Sequence, residues 1–433
     1  DLFGQPYDTD KQYETWMVAS SYLAYGGTLS VIRADDYNAT TGIGLKNAFV
    51  GTASSVRLKS TEHYQELGYQ ESTLDTVTVA ARNPGTWANG IRVAIIDGLA
   101  DQILDNMDVS SPEGGAAVVV GSGVTQAVPA NTVISGAGGT SLLDGHFKGI
   151  VTNVGTTSID VKFLSHVSSA GTETAQDFNN IYKFSSSGSV AIHTAGQSAS
   201  YASTSYTASR DWFDEQTYEV TTSAKGGTET TTTAKWNAIA DKPGTSEYAT
   251  ARGSRFDEVH VIVIDAKGTI SGNAGTILEK HLNLSKAKDA VFSVGSPSYW
   301  RKYLYTNSDN IFGLSGAIIG VTSTGFAANN FNLFGDGSWD QNAEGVIFNS
   351  SGKQNLILDG GKNYGGISTI SGDGSAGALN SGLGDLIAGY QIFENDGVNN
   401  VDFLLMGGGH LGKDSTRQLA TTMIGVAEER KDA

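Results

Sequence analysis

The chain has 433 residues with 28 basic and 45 acidic side chains, a net charge of −17, and 55 glycines against 6 prolines. That acid excess argues against a protein that tracks phosphate backbones, no apolar run approaches the ~18 residues of a membrane span, and the absence of cysteine excludes a disulfide framework, thiolate metal sites and a cysteine nucleophile. The length allows two to three domains of roughly 100–200 residues each.

Thr9 and Gln12 form a capping-box pair ahead of Tyr13, Trp16, Met17, Leu23 and Ala24 at helical spacing, and Gly26-Gly27 closes that predicted helix. Leu29–Arg33 reads as a strand, Ser60–Leu67 as a polar helix and Leu74–Ala81 as an alternating strand. Asn83-Pro84-Gly85 is a turn before the apolar strand Ile91–Asp97.

After Asp105 the composition changes. The stretch Ser110–Arg210 holds five acidic and four basic residues, about half the chain's charge density, while Val118–Val120, Gly149–Val154, Ser158–Val167 and Ser189–His193 read as short strands between small polar turns. Low charge with recurring β-branched residues predicts a folded all-β insert over 106–235. Within it, Ser198–Lys235, with its Thr228–Thr233 run, fits either a long β-ribbon or a mobile loop.

Mixed character returns over 236–310, with strands at Val259–Asp265 and Leu278–Leu284 and a short aromatic helix at Tyr299–Tyr305. A second β-rich excursion is expected over 311–361. The unit 362–433 closes with a strand at Val401–Met406, a glycine turn and a helix opened by a second capping box, Ser415 and Gln418, bearing Leu419, Met423 and Val426. No fixed-period repeat is present, which argues against a solenoid or propeller.

Chemistry-bearing motifs are sparse. Gly407–Lys413 follows the spacing of a phosphate loop as far as its lysine, but Asp414 stands where a magnesium-binding hydroxyl belongs and would repel phosphate. The preferred reading is a glycine turn with Asp414 or Ser415 capping the next helix. His63, His146, His166, His193, His260, His281 and His410 are scattered singly and read as structural or surface residues. Gly335–Asn342 alternates oxygen-bearing side chains but lacks the calcium-loop glycine, and Ile347 occupies the position of the bidentate glutamate, so a polar turn is favoured. No GxSxG elbow is present, and no carboxylate pair stands out. The expectation is a protein with no catalytic, cofactor-binding or metal residue, and not an enzyme.

Several of these segments also form an ordered pattern. The opening Asp1–Pro6, the helix end Tyr22–Gly27 with Leu29–Asp35, the stretch Asn83–Val93, the strand Leu278–Ser285 and the ending from Gly389 through Ala427–Asp432 follow one another as in a known family. The chain resembles the contractile tail sheath proteins of T-even-type and related large phages, cyanobacterial-phage members especially. His281 departs from the aromatic usual in that strand.

The resemblance implies a multidomain α+β fold: a mixed α/β sheath core (1–105 and 362–433, with a middle α/β part at 236–310) carrying inserted all-β, sandwich or barrel-like, protruding domains. It further implies a virion subunit that polymerises helically with copies of itself around a tail tube and contracts to deliver the genome. The partners it implies are the tail tube, baseplate and tail terminator proteins, with no nucleic acid and no membrane insertion. The family's N-terminal arm and C-terminal domain lie outside the matched landmarks, which leads to the expectation of a trimmed subunit. The rival expectation is a β-rich fibre or adhesin that binds carbohydrate, which suits the Gly/Ser/Thr-rich stretch but not the helices at both ends.

Overall fold

The computed structural model describes residues 12–32, 34, 45–51, 53, 55–69, 77–111, 117–128, 133–136, 139–142, 144–193, 202–223, 229–314, 339–362, 383–394, 401–406 and 412–430. Helices and strands are mixed along the chain, and the strands form several antiparallel sheets.

The centre is a four-stranded sheet in the order Thr276–Ser285, Glu258–Asp265, Ile91–Asp97, Lys353–Ile357. Its two inner strands, EVHVIVID and IRVAIID, are apolar almost throughout because both faces are covered. Side chains alternate between those faces. Val93, Ile95, Val261 and Val263 point to one side and pack with Tyr299, Trp300 and Leu304. Ala94, Ile96, Ile262 and Ile264 point to the other and pack with Trp212, Phe213, Tyr218 and Trp236. The ribbon Thr217–Ser223/Glu229–Lys235 contributes to this second layer through Tyr218.

A three-stranded sheet, Phe49–Gly51, Val77–Ala81 and Ile311–Gly313, shares the first layer through Val79, Ala81 and Ile311. Its opposite face holds Tyr64, which stacks on Phe312 with ring centroids 4.3 Å apart. Trp300 lies so close to Gly313 that a Cβ there would sit 2.4 Å from the indole.

Between Asp97 and Trp212 the chain builds a nearly closed barrel. Its strand path is Ala202–Tyr206, Gly188–His193, Gly123–Ala127, His146–Val154, Ser158–Val167, Gln102–Asp105 and Ala208–Asp211, with Glu173–Ala175 added beside Ser158–Val167. The first and last strands of that path are joined by Thr207 alone, so chain continuity ties one edge to the other. Leu104, Val124, Phe147, Val151, Val161, Phe163, Phe184 and Val190 are among the residues that fill the interior. At Gly145 the backbone is left-handed (φ +81°) and a Cβ would lie 2.0 Å from the Val167 carbonyl oxygen, so only glycine fits this turn. Helices Leu383–Gln391 and Lys413–Arg430 pack on each other, and Arg430 donates to the Phe393 carbonyl at 2.8 Å.

The strands at Ile91–Asp97 and Ser158–Val167 and the helix ending at Ala24 coincide with the sequence reading. Ser60 caps helix Thr61–Glu66 by accepting from His63 N–H, and of the two readings for Ser198–Lys235 the ribbon is realised over 217–235.

Other expectations need correction. Leu29–Ile32 and Val401–Met406 have strand-like side chains but no strand pairing among the described residues, so neither is a strand. Val118–Val120 is not a strand either: Val118 is buried and its N–H donates to the Val109 carbonyl, while Val119 is exposed. Helix Lys413–Arg430 starts before Ser415, so the Ser415–Gln418 pair lies inside it and caps nothing. Helices Glu247–Thr250 and Leu383–Gln391 were not expected.

Sheet pairing also departs from the boundaries drawn at 105/106 and 235/236. The barrel takes Gln102–Asp105 from before the first, while Trp212 and Phe213 and the ribbon pack on the central sheet. Likewise Ile311–Gly313 and Lys353–Ile357, expected in a separate excursion over 311–361, pair with Val77–Ala81 and Ile91–Asp97. Residues 315–338 lie outside the described residues.

Candidate functional site

A group of buried and half-buried charges sits where the barrel meets the central sheet. Asp97 ends the central strand, and its carboxylate accepts from Ser351 N–H and Gly352 N–H, both at 2.7 Å. Lys286 pairs with it at 2.7 Å, both side chains being 0% exposed, and also donates to the carbonyls of Phe256 (3.0 Å) and Asn349 (2.9 Å). Four residues later, Asp101 accepts from Phe163 N–H at 2.7 Å and pairs with Lys242.

From the barrel side, Lys162 projects into this group. Its amine contacts the Gly98 carbonyl and the Ser350 hydroxyl (2.8 Å) and lies 3.8 Å from the centre of the Phe256 ring. Burial pushes its pKa down to about 7; Asp101 and Asp97 oppose that shift, while Lys286 and Lys242 add to it. A lysine near neutrality is chemically able to act as a nucleophile or base. Here the side chain is only 5% exposed and covered by Phe256, so it serves as a docking contact between barrel and sheet.

Two further polar clusters are closed in on themselves. Glu279 accepts from His281 Nε2–H (2.8 Å), Ser308 O–H (2.6 Å), Asp309 N–H (2.8 Å) and Asn310 N–H (3.0 Å). Burial opposes its ionisation, yet these bonds outweigh burial and hold its pKa below the ordinary glutamate value. Asp340 accepts from the Tyr299 hydroxyl and Trp300 Nε1 (3.2 Å) and pairs with the buried Arg301. Asp340 of the calcium-like stretch is therefore committed to protein donors; Gly335–Ser338 lie outside the described residues.

The described histidines each meet partners of their own. His260 is buried, with Nε2 at 2.8 Å from the Asp241 carbonyl and Nδ1 accepting from Asn283 N–H at 3.0 Å. Burial lowers its pKa despite the favourable Asp241 contact. His166 contacts the Asp144 carbonyl, His193 the Thr125 hydroxyl (2.9 Å), and His63 accepts from Lys59 N–H (3.2 Å). His146 is exposed on the barrel, and His410 lies outside the described residues.

No group of three or more His, Asp or Glu side chains is arranged to hold a metal among the described residues. Gly407–Leu411 lie outside them too, while Lys413 and Asp414 are exposed in the first turn of their helix.

Sequence reasoning missed the seam group of Asp97, Asp101, Lys162, Lys242 and Lys286. Its one local signal is a lysine inside the otherwise apolar run Val161–Leu164. No family model, curated protein or solved structure matches the chain. No helix among the described residues is long and apolar enough to cross a membrane.

Proposed function

We propose that this chain is a structural subunit of a phage contractile tail sheath, assembling helically around the tail tube and contracting to drive the tube through the host envelope. The ordered motif pattern carries this reading, and the fold adds one supporting observation. Two of the matched segments, Asn83–Val93 and Leu278–Ser285, are far apart in the chain yet supply strands that flank Glu258–Asp265 in one sheet. A family signature spread over a chain has structural meaning when its parts converge on one element.

The exposed apolar residues near the chain ends fit a subunit that is completed by neighbours. Tyr25 is 94% and Phe403 70% exposed, and Val31, Ile392 and Ile424 are each more than half exposed. In this reading the partners are copies of the same chain, the tube protein, and the baseplate and terminator proteins at either end. The setting is the virion, and no catalytic residue, cofactor or metal is required.

The test is immunogold electron microscopy of phage particles encoded with this sequence, using an antibody raised against the purified chain. Label along a striated sheath is the expected result. Label confined to fibres or capsids overturns the proposal.

A further inference from the structure

The barrel is held against the central sheet by a polar seam. Strand Ser158–Val167 lies along the linker Gly98–Asp101 and the loop Ser254–Phe256. Asp101 N–H donates to the Val161 carbonyl (2.8 Å), Phe163 N–H to the Asp101 carboxylate, Arg255 to the Leu164 carbonyl (2.8 Å), and Phe178 N–H to the Thr250 hydroxyl (3.1 Å). Lys162 stands in the middle of these contacts.

The charges around it balance without it. Asp97 is matched by Lys286, and Asp101 by Lys242. The other charged groups nearby are turned elsewhere: Asp257 accepts from Ser246 and Ser285, Glu258 from Gly244 N–H, and Arg255 donates to the Leu164 carbonyl. An ammonium at Lys162 adds one positive charge in excess of those two pairs. The Gly98 carbonyl, the Ser350 hydroxyl and the Phe256 ring contact it, and Asp101 and Asp97 also favour it, but its loss of water on burial outweighs them.

We infer that this seam is a proton-controlled latch: the barrel docks firmly when the Lys162 amine is neutral and loosens when that amine is protonated. Released to water, the same amine recovers an ordinary lysine affinity for its proton. Docking therefore strengthens as pH rises from about 7, where the docked amine titrates, toward 10.5, and levels off at its weakest below that range. Between pH 6.5 and 8.5 linkage sets a strengthening of roughly 25-fold.

Hydrogen exchange on the intact chain, corrected for the intrinsic pH dependence of exchange, reads this directly. Seam amides (Asp101, Phe163, Phe178) should gain roughly 25-fold protection between pH 6.5 and 8.5. The barrel amide of Val151, bonded to the Ser122 carbonyl at 2.9 Å, should not follow them. Lys162→Met, which keeps the length of the side chain but cannot take up a proton, should abolish the pH dependence. Ser350→Ala, which leaves the amine in place, should keep it.

A flat wild-type profile at the seam overturns the inference whatever the variants do. So does an equal change at Val151, or an unaltered pH response in Lys162→Met.

Discussion

Replacing Lys286 by Met tests how much the molecule depends on one fully buried ion pair. The substitution preserves most of the side-chain volume and removes the charge opposite Asp97, which is itself fully buried. Asp97 keeps the Ser351 and Gly352 N–H donors but becomes an uncompensated carboxylate; breaking a buried pair in this way costs about 3–5 kcal/mol. The Asn349 carbonyl still accepts from Trp339 Nε1, whereas the Phe256 carbonyl loses the Lys286 donor, adding roughly 1 kcal/mol. A total of about 5 kcal/mol is a large fraction of the ~5–15 kcal/mol typical of a folded domain. Urea unfolding followed by tryptophan fluorescence should show the loss. In the double variant Asp97→Asn/Lys286→Met at least ~2 kcal/mol should return, because the stranded charge is gone while one acceptor remains for the two backbone donors. A loss below about 1 kcal/mol in Lys286→Met would refute the reasoning, since it would mean that Asp97 is effectively solvated.

Glu279→Ala strands the donors of Ser308, Asp309 and Asn310 and should cost about 2–3 kcal/mol by the same assay. Gly313→Ala drives a methyl into the Trp300 ring and should lower stability by about 1–3 kcal/mol, with a shift in tryptophan emission. Because His260 has a folded-state pKa below 6.5, its neutral form favours folding above that pH, and stability should fall as pH drops from 6.5 to 5.0. His260→Gln should flatten that part of the urea-midpoint profile. Lys413→Ala should change stability by less than about 0.5 kcal/mol, and calorimetry with magnesium–ATP should show no binding for this substitution to abolish.

What could be read from the residues follows from what each element depends on. Ile91–Asp97 is visible because a strand covered on both faces is apolar at most positions, with only Arg92 and Asp97 breaking the run, and Ser158–Val167 because Ile159, Val161, Phe163 and Val167 give it an alternating β-branched and aromatic set. Leu29–Ile32 and Val401–Met406 show the same local character but find no partner strand among the described residues, and side-chain pattern reports propensity rather than pairing. The converse holds for Lys353–Ile357, whose sequence KQNLI is mostly polar and which joins the central sheet only through a long-range register with Ile91–Asp97. Gly384 and Gly389 disguise helix Leu383–Gln391, since glycine lowers helix propensity by ~1 kcal/mol at each position. The seam group is illegible for a simpler reason: Asp97, Lys162 and Lys286 become neighbours only once barrel and sheet are folded.

The closure of the barrel has a consequence for how such a molecule can change. The chain enters at Gln102 and leaves at Asp211, and these two residues face each other across one antiparallel pair, so entrance and exit stand about 5 Å apart. A gap that small can be spanned by a tight turn or by any other unit whose two ends lie side by side. The central sheet thus carries a socket, and the barrel is one occupant of it. Recombination, or a designer, could exchange the whole cassette for a longer, shorter or differently decorated one, provided the replacement supplies an apolar side chain where Ile103 meets Trp212 and Phe213.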